Sequence, residues 1–102
     1  MGLPDPSHIS NAEYLQAKPG VYILSRDSLQ PCYVGRSDRD LAACVAGTAA
    51  KKGCKWFWFR YATSPVEAYH FECKLYHGYD LLENEEHPKP PSSDVRCRYC
   101  GE

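Results

Sequence analysis

The sequence predicts an α+β domain, a small antiparallel sheet of three strands flanked by helices. Two observations carry this. Two short apolar runs rich in β-branched and aromatic residues, near 20–25 and 32–36, flank the polar segment 25–30, the pattern of a β-hairpin. Further on, two segments place helix-capping residues ahead of an apolar run, with an aromatic stretch between them, which adds two helices and a third strand.

Residues 1–10 read as a polar arm. Ser10 stands three residues before Glu13, the capping-box spacing, and opens a short helix. Pro19 ends it, because a proline disfavours helical backbone at the residue before it. The hairpin follows. Each of its strands has a tyrosine, Tyr22 and Tyr33, with Gly20 and Gly35 close by. A glycine there lets the chain leave the strand sharply and lets another group approach it. Ser37, Asp38 and Asp40 then mark a helix start, since serine caps and acidic residues fit the positive end of the helix dipole. That helix covers 39–50, is weakened by Gly47, and closes at Lys51, Lys52 and Gly53, residues suited to a helix C-terminus.

The third strand is Lys55-Trp56-Phe57-Trp58-Phe59-Arg60-Tyr61. Its aromatics are consecutive, so both faces are expected to be covered. Such a stripe can stack bases, but in a small α+β domain core packing is the expectation. The second helix opens with Ser64 as cap, Pro65 at its first position and Glu67 three after the cap, and it stops at Gly78. The tail, 84–102, is irregular, with Pro88, Pro90 and Pro91.

At 102 residues the chain makes one domain, 1–102, with 19–79 as its core and 84–102 as an appended tail. Hydrophobic residues at 43% and aromatics at 13% place it among globular chains. A core this small is marginal, and a metal or disulfides would support it. The formal net charge is −1, so no overall basic field draws in nucleic acid. The halves differ, however. Residues 1–60 hold eight Lys and Arg against five Asp and Glu, and residues 61–102 hold four against eight. The hairpin half is therefore the side for a phosphate backbone.

The first residues have no apolar run and no basic segment, so no signal peptide is expected. Pro6 stands where a myristoylation motif wants serine or threonine. No apolar stretch approaches the ~20 residues of a membrane span. The expected location is intracellular and reducing, with no membrane partner. Six cysteines there favour metal ligation over disulfides.

Cys97 and Cys100, followed by Gly101, form a metal-knuckle pattern, two thiolates able to face one tetrahedral ion. Cys73 and His77 lie four apart, hence on one helix face. Together the four make a zinc site of three thiolates and one imidazole, with His87 competing for the place of His77. Four protein ligands close the site and make it structural. It staples the proline-rich tail to the helix, so the predicted fold is α+β with a C-terminal zinc-bound tail. A redox Cys-x-x-Cys usually follows a strand and opens a helix; this pair sits at the chain end. Cys32, Cys44 and Cys54 read as core or surface thiols.

Gly20-Val21-Tyr22 followed closely by Tyr33-Val34-Gly35-Arg36, with a glutamate on a later helix, resembles the signature of the GIY-YIG nuclease superfamily, over about residues 19–79. The resemblance implies one pocket shared by Tyr22 and Tyr33, completed by an arginine of the first helix and by Glu72 of the second. It implies Mg²⁺ or Mn²⁺ at Glu72, and a tyrosine or a water activated to attack a DNA phosphodiester. Gly35 matches the signature glycine, and Arg36 follows it at the substrate side. Chemically this is coherent. A hard cation on a carboxylate polarises phosphate, a guanidinium neutralises developing charge, and a phenol of pKa ~10 needs such help to act as a base.

The chain departs from the pattern at Ala43, where relatives carry the helix arginine. Arg39, one turn nearer the helix start, and Arg36 are the candidates to replace it. Two functions follow. The first is a metal-dependent endonuclease. The alternative is a catalytically inactive module of the same fold that binds nucleic acid or a protein partner. A protein partner or a homodimer would supply the reach that a second DNA-binding domain supplies elsewhere. A zinc-stabilised interaction domain without phosphate chemistry is a third reading.

Overall fold

The computed structural model describes residues 4–79, 82–84 and 86–99. The hairpin is β2 (Gly20–Ser25) and β3 (Pro31–Ser37), antiparallel, with Tyr22 opposite Gly35 and Ile23 opposite Val34. The polar link turns on Asp27, whose Oδ1 accepts from the amides of Leu29 and Gln30, both at 2.9 Å. β4 (Trp56–Tyr61) pairs with the other side of β2. These are the three strands the sequence predicts, and the α+β class stands.

A fourth strand adds to them. β1 (Ser7–His8) pairs with Trp56 and Phe57, giving the order β1-β4-β2-β3. No apolar alternation in the first ten residues announces it. It is held by backbone, Ile9 N–H to the Lys55 carbonyl at 2.7 Å, and by the His8 ring edge-on to Trp56 at 5.2 Å.

Alternation along the strands builds two apolar layers. Tyr22, Leu24 and Phe57 face α1 (Leu41–Lys52), where Leu41, Val45 and Ala49 pack on them. Val21, Ile23, Val34 and Trp58 face α2 (Pro65–Gly78), which covers them with Phe71 and Leu75. The aromatic strand is thus core at Phe57 and Trp58, while Phe59 is 43% exposed. Cys32 and Cys54 are buried free thiols whose sulfurs lie 3.4 Å apart. Burial pushes the Cys32 thiol up to about 12.

The helix ends repay local reading. Ser64 caps α2, accepting from the Glu67 amide at 3.1 Å, and Pro65 takes the first position. Glu67 reaches back to the Thr63 amide at 2.7 Å, one residue before the cap. Gly53 closes α1 at φ 67°, the left-handed conformation glycine adopts freely. The expected cap of α1 is displaced. Asp40 caps it through the Ala43 amide at 3.2 Å, so the helix begins at Leu41. Ser37 turns the chain ahead of it, accepting from the Arg39 and Asp40 amides. The first short helix is a 3-10 helix, Ile9–Tyr14, capped by the His8 ring in place of Ser10.

β3 is an edge strand, and the tail covers that edge. The Glu83 amide donates to the Cys32 carbonyl at 2.6 Å. The Asn84 side chain completes the ladder like a strand residue: its Oδ1 accepts from Val34 N–H at 3.0 Å and its Nδ2 donates to the Val34 carbonyl at 2.7 Å. Arg26 grips both carboxylate oxygens of Glu83. An open edge would offer a template for another chain. Among the described residues no helix is long and apolar enough to cross a membrane.

Candidate functional site

A polar pocket of about 240 Å³ opens at the β3 edge, lined among others by Tyr22, Tyr33, Gly35, Arg36, Asp38 and Glu72. The register explains its shape. Tyr22 faces Gly35 across the hairpin, and its phenol lies over the glycine. A Cβ on Gly35 would come within 2.3 Å of the Tyr22 hydroxyl oxygen. Of the two roles the sequence offers this glycine, the close approach is the one used. The chain does not turn away there, since β3 continues to Ser37.

Tyr22 is held from α1, its hydroxyl 2.9 Å from Thr48 Oγ1. Tyr33 sits half-buried on the same side, with the Lys52 ammonium 4.6 Å from its ring centroid. Arg36 points to the other side of the sheet and binds three acceptors. Its Nε donates to Asp38 Oδ1 at 2.8 Å. Its Nη1 donates to Glu72 Oε1 at 3.1 Å and to the Lys89 carbonyl at 2.7 Å. The guanidinium also lies 5.4 Å from the Tyr69 ring centroid. The pocket therefore wraps the sheet edge, taking phenols from one face, guanidinium and carboxylate from the other, with Gly35 as the gap between.

Burial dominates the electrostatics. It pushes the Glu72 carboxyl up to about 7, with the Arg36 charge and hydrogen bond pulling the other way. It raises the Tyr22 hydroxyl well above the phenol range, against the hydrogen bond to Thr48, and it raises Tyr33, with the Glu72 charge adding to the effect. Neither phenol is a base by itself at neutral pH. Each needs a cation nearby to lose its proton.

One residue along α2 from Glu72, a second cluster forms. Cys73, His87 and Cys97 bring one ligand atom each within 4.8 Å of one another and could hold a metal ion. The His87 ring donates from Nδ1 to the Pro88 carbonyl at 2.7 Å. Nε2 then carries the lone pair, which accepts from His77 Nε2–H at 3.2 Å and which a metal would take in its place. Cys73 is fully buried, and its thiol is pushed up to about 12, first by burial. A metal would displace that proton. Glu72 and Cys73, about 100° apart around the helix, serve the two sites separately.

Tyr22, Tyr33, Gly35, Arg36 and Glu72 thus meet in one pocket. Arg39 is exposed and outside the lining, so of the two candidate arginines only Arg36 is present there. Ala43 is exposed too, and α1 turns Cys44 to the pocket instead. In the metal cluster the alternative imidazole, His87, joins the cysteines. His77 meets it from outside that mutual set, Nε2 to Nε2 at 3.2 Å. Cys100 lies outside the described residues. Sequence reasoning missed Thr48, Cys44, Asp38 and Lys89. Thr48 and Cys44 stand four apart on one helix face, which was a usable signal; the approach of Lys89 depends on a tail path with no periodicity.

No family model, curated protein or solved structure matches this chain, so the site rests on its own geometry.

Proposed function

We propose that this domain is a GIY-YIG-like, metal-dependent endonuclease acting on DNA phosphodiester bonds. One observation carries the reading: two phenols, a guanidinium and a buried carboxylate, from three separate stretches of sequence, line one pocket beside Gly35. Arg36 neutralises phosphate charge there, and Tyr22 or Tyr33 handles the proton of the attacking water. The donors suit Mg²⁺ or Mn²⁺, which take one or two carboxylates and keep several waters. Glu72 would hold the ion, with Asp38 across the guanidinium, and the bound ion supplies polarisation of the phosphate. Zinc is the metal proposed for the second cluster, because two thiolates and an imidazole match its preference. The Cys97-x-x-Cys100 spacing gives Cys100 the fourth place, and the role is structural.

A second reading, an inactive module holding nucleic acid or a protein partner, is favoured by a specific contact. Arg36 already occupies a Glu72 oxygen that a cation would need, and α1 offers Cys44 in place of an arginine.

Labelled branched, single-stranded and duplex DNA incubated with Mn²⁺ or Mg²⁺ separates the two. The enzyme cuts at least one substrate, and Glu72→Ala slows cutting by about a hundredfold or more. Equal cutting by both proteins removes the proposed site. Binding by both with cutting by neither makes the domain a module.

A further inference from the structure

On that reading of the pocket, we propose that the metal cluster controls the pocket through the tail: an ion at Cys73, His87 and Cys97 fixes residues 87–89 as a strap, and the strap positions Arg36 for a phosphodiester. The two sites share a turn of α2, since Glu72 and Cys73 are consecutive. They also share the tail. His87 supplies a donor to the cluster, and two residues on the Lys89 carbonyl accepts from Arg36 Nη1 at 2.7 Å. Pro88 between them is buried, and Pro90 and Pro91 follow. Proline fixes φ, so the segment has few ways to move one end without the other.

The consequence falls on one side chain. Arg36 has Nε on Asp38 and Nη1 on both Glu72 and Lys89, while among the described residues Nη2 donates no hydrogen bond. With Nε and Nη1 engaged, the remaining donors are the two N–H groups of Nη2, and holding the other two nitrogens fixes the direction from which Nη2 can meet a phosphate oxygen. Freeing the strap removes the acceptor that shares Nη1 with Glu72, and Arg36 is left on two carboxylates alone. Residues His87 and Lys89 are thus positioning residues, acting on substrate through Arg36.

The test uses the full chain, isotope-labelled, loaded with zinc and then stripped with a chelator under reducing conditions. Amide exchange, the Arg36 Nε–H resonance and binding of a short single-stranded DNA are measured without added Mg²⁺ or Mn²⁺. Stripping is expected to speed exchange at Val34 and Glu83 by about tenfold or more while Ile23 keeps its protection. The Arg36 resonance shifts, and DNA binding weakens by about tenfold. His87→Ala, which spares the buried Cys73, gives the same changes with zinc present. Unchanged Val34 and Arg36 after zinc loss overturn the strap, as does equal acceleration at Ile23, which would make the ion a support of the whole domain. The exchange change without DNA binding in either state supports the strap and sinks the nucleic-acid reading of the pocket. DNA binding without the exchange change does the reverse.

Discussion

β2 has a strand on each side and an apolar layer on each face. Among the described residues its neighbour β3 has a strand on one side only, and its outer edge is met by Glu83, Asn84 and the tail. The two strands pair in register from Gly20 to Leu24, with a shift before Ser25, yet different forces hold them. β2 is fixed by buried area, which is spread over many side chains. The outer edge of β3 is fixed by a few hydrogen bonds from a tail whose His87 and Cys97 meet Cys73 of α2. The pocket lies at that edge. Regions with few buried apolar contacts open at lower cost than the core, so the tail side of the pocket, where Lys89 is exposed, should open before β2 does.

The largest effect should come from the well-held strand. Leu24 is fully buried in the layer under α1. Leu24→Ala leaves a cavity and should cost about 2–5 kcal/mol in urea unfolding, with all probes moving together. A cost below that of the edge variants would break the contrast between the strands.

Gly35 joins the two strands, because it is a β3 residue whose missing Cβ makes room for a β2 side chain. Gly35→Ala drives a methyl into the Tyr22 phenol. The ring must move away from Thr48, at a cost of about 1–3 kcal/mol. Adding Tyr22→Leu should recover part of that loss, since the crowded atoms are then gone. If the double variant is as unstable as the sum of the two single ones, the crowding is not what sets the cost.

How far the sequence could be read follows the same division. The hairpin, both helices, the Ser64 cap and the Gly53 stop were legible, since each rests on local chemistry or on alternation. The aromatic strand was legible as a strand; its exposed Phe59 was not, because consecutive aromatics hide which face is covered. β1 escaped notice, being two residues held by backbone. At the site, Tyr22, Tyr33 and Glu72 could be named from motif and helix position. The choice of Arg36 over Arg39 could not, since it depends on α1 starting at Leu41 behind the Asp40 cap, which leaves Arg39 outside. His87 over His77 was undecidable for a similar reason: His77 has a fixed place on α2, whereas the position of His87 depends on the path of a proline-rich tail.

The smallest predicted effect tests the edge alone. Asn84→Ala removes two hydrogen bonds from Val34. Val34 is fully buried with Asn84 in place, and truncation to alanine opens space for water at the outer edge, so the loss should be near the net value of hydrogen bonds, about 1–2 kcal/mol. Its distribution matters more than its size. Exchange at Val34 should quicken well before Leu24 or Ile23 responds, because the tail can lift while the sheet stays closed. The lifted edge should also promote association at high concentration, as an unpaired strand invites a partner. Uniform loss of protection across β2 and β3 would mean that the tail is part of one cooperative unit with the core, and the two strands would then be held together after all.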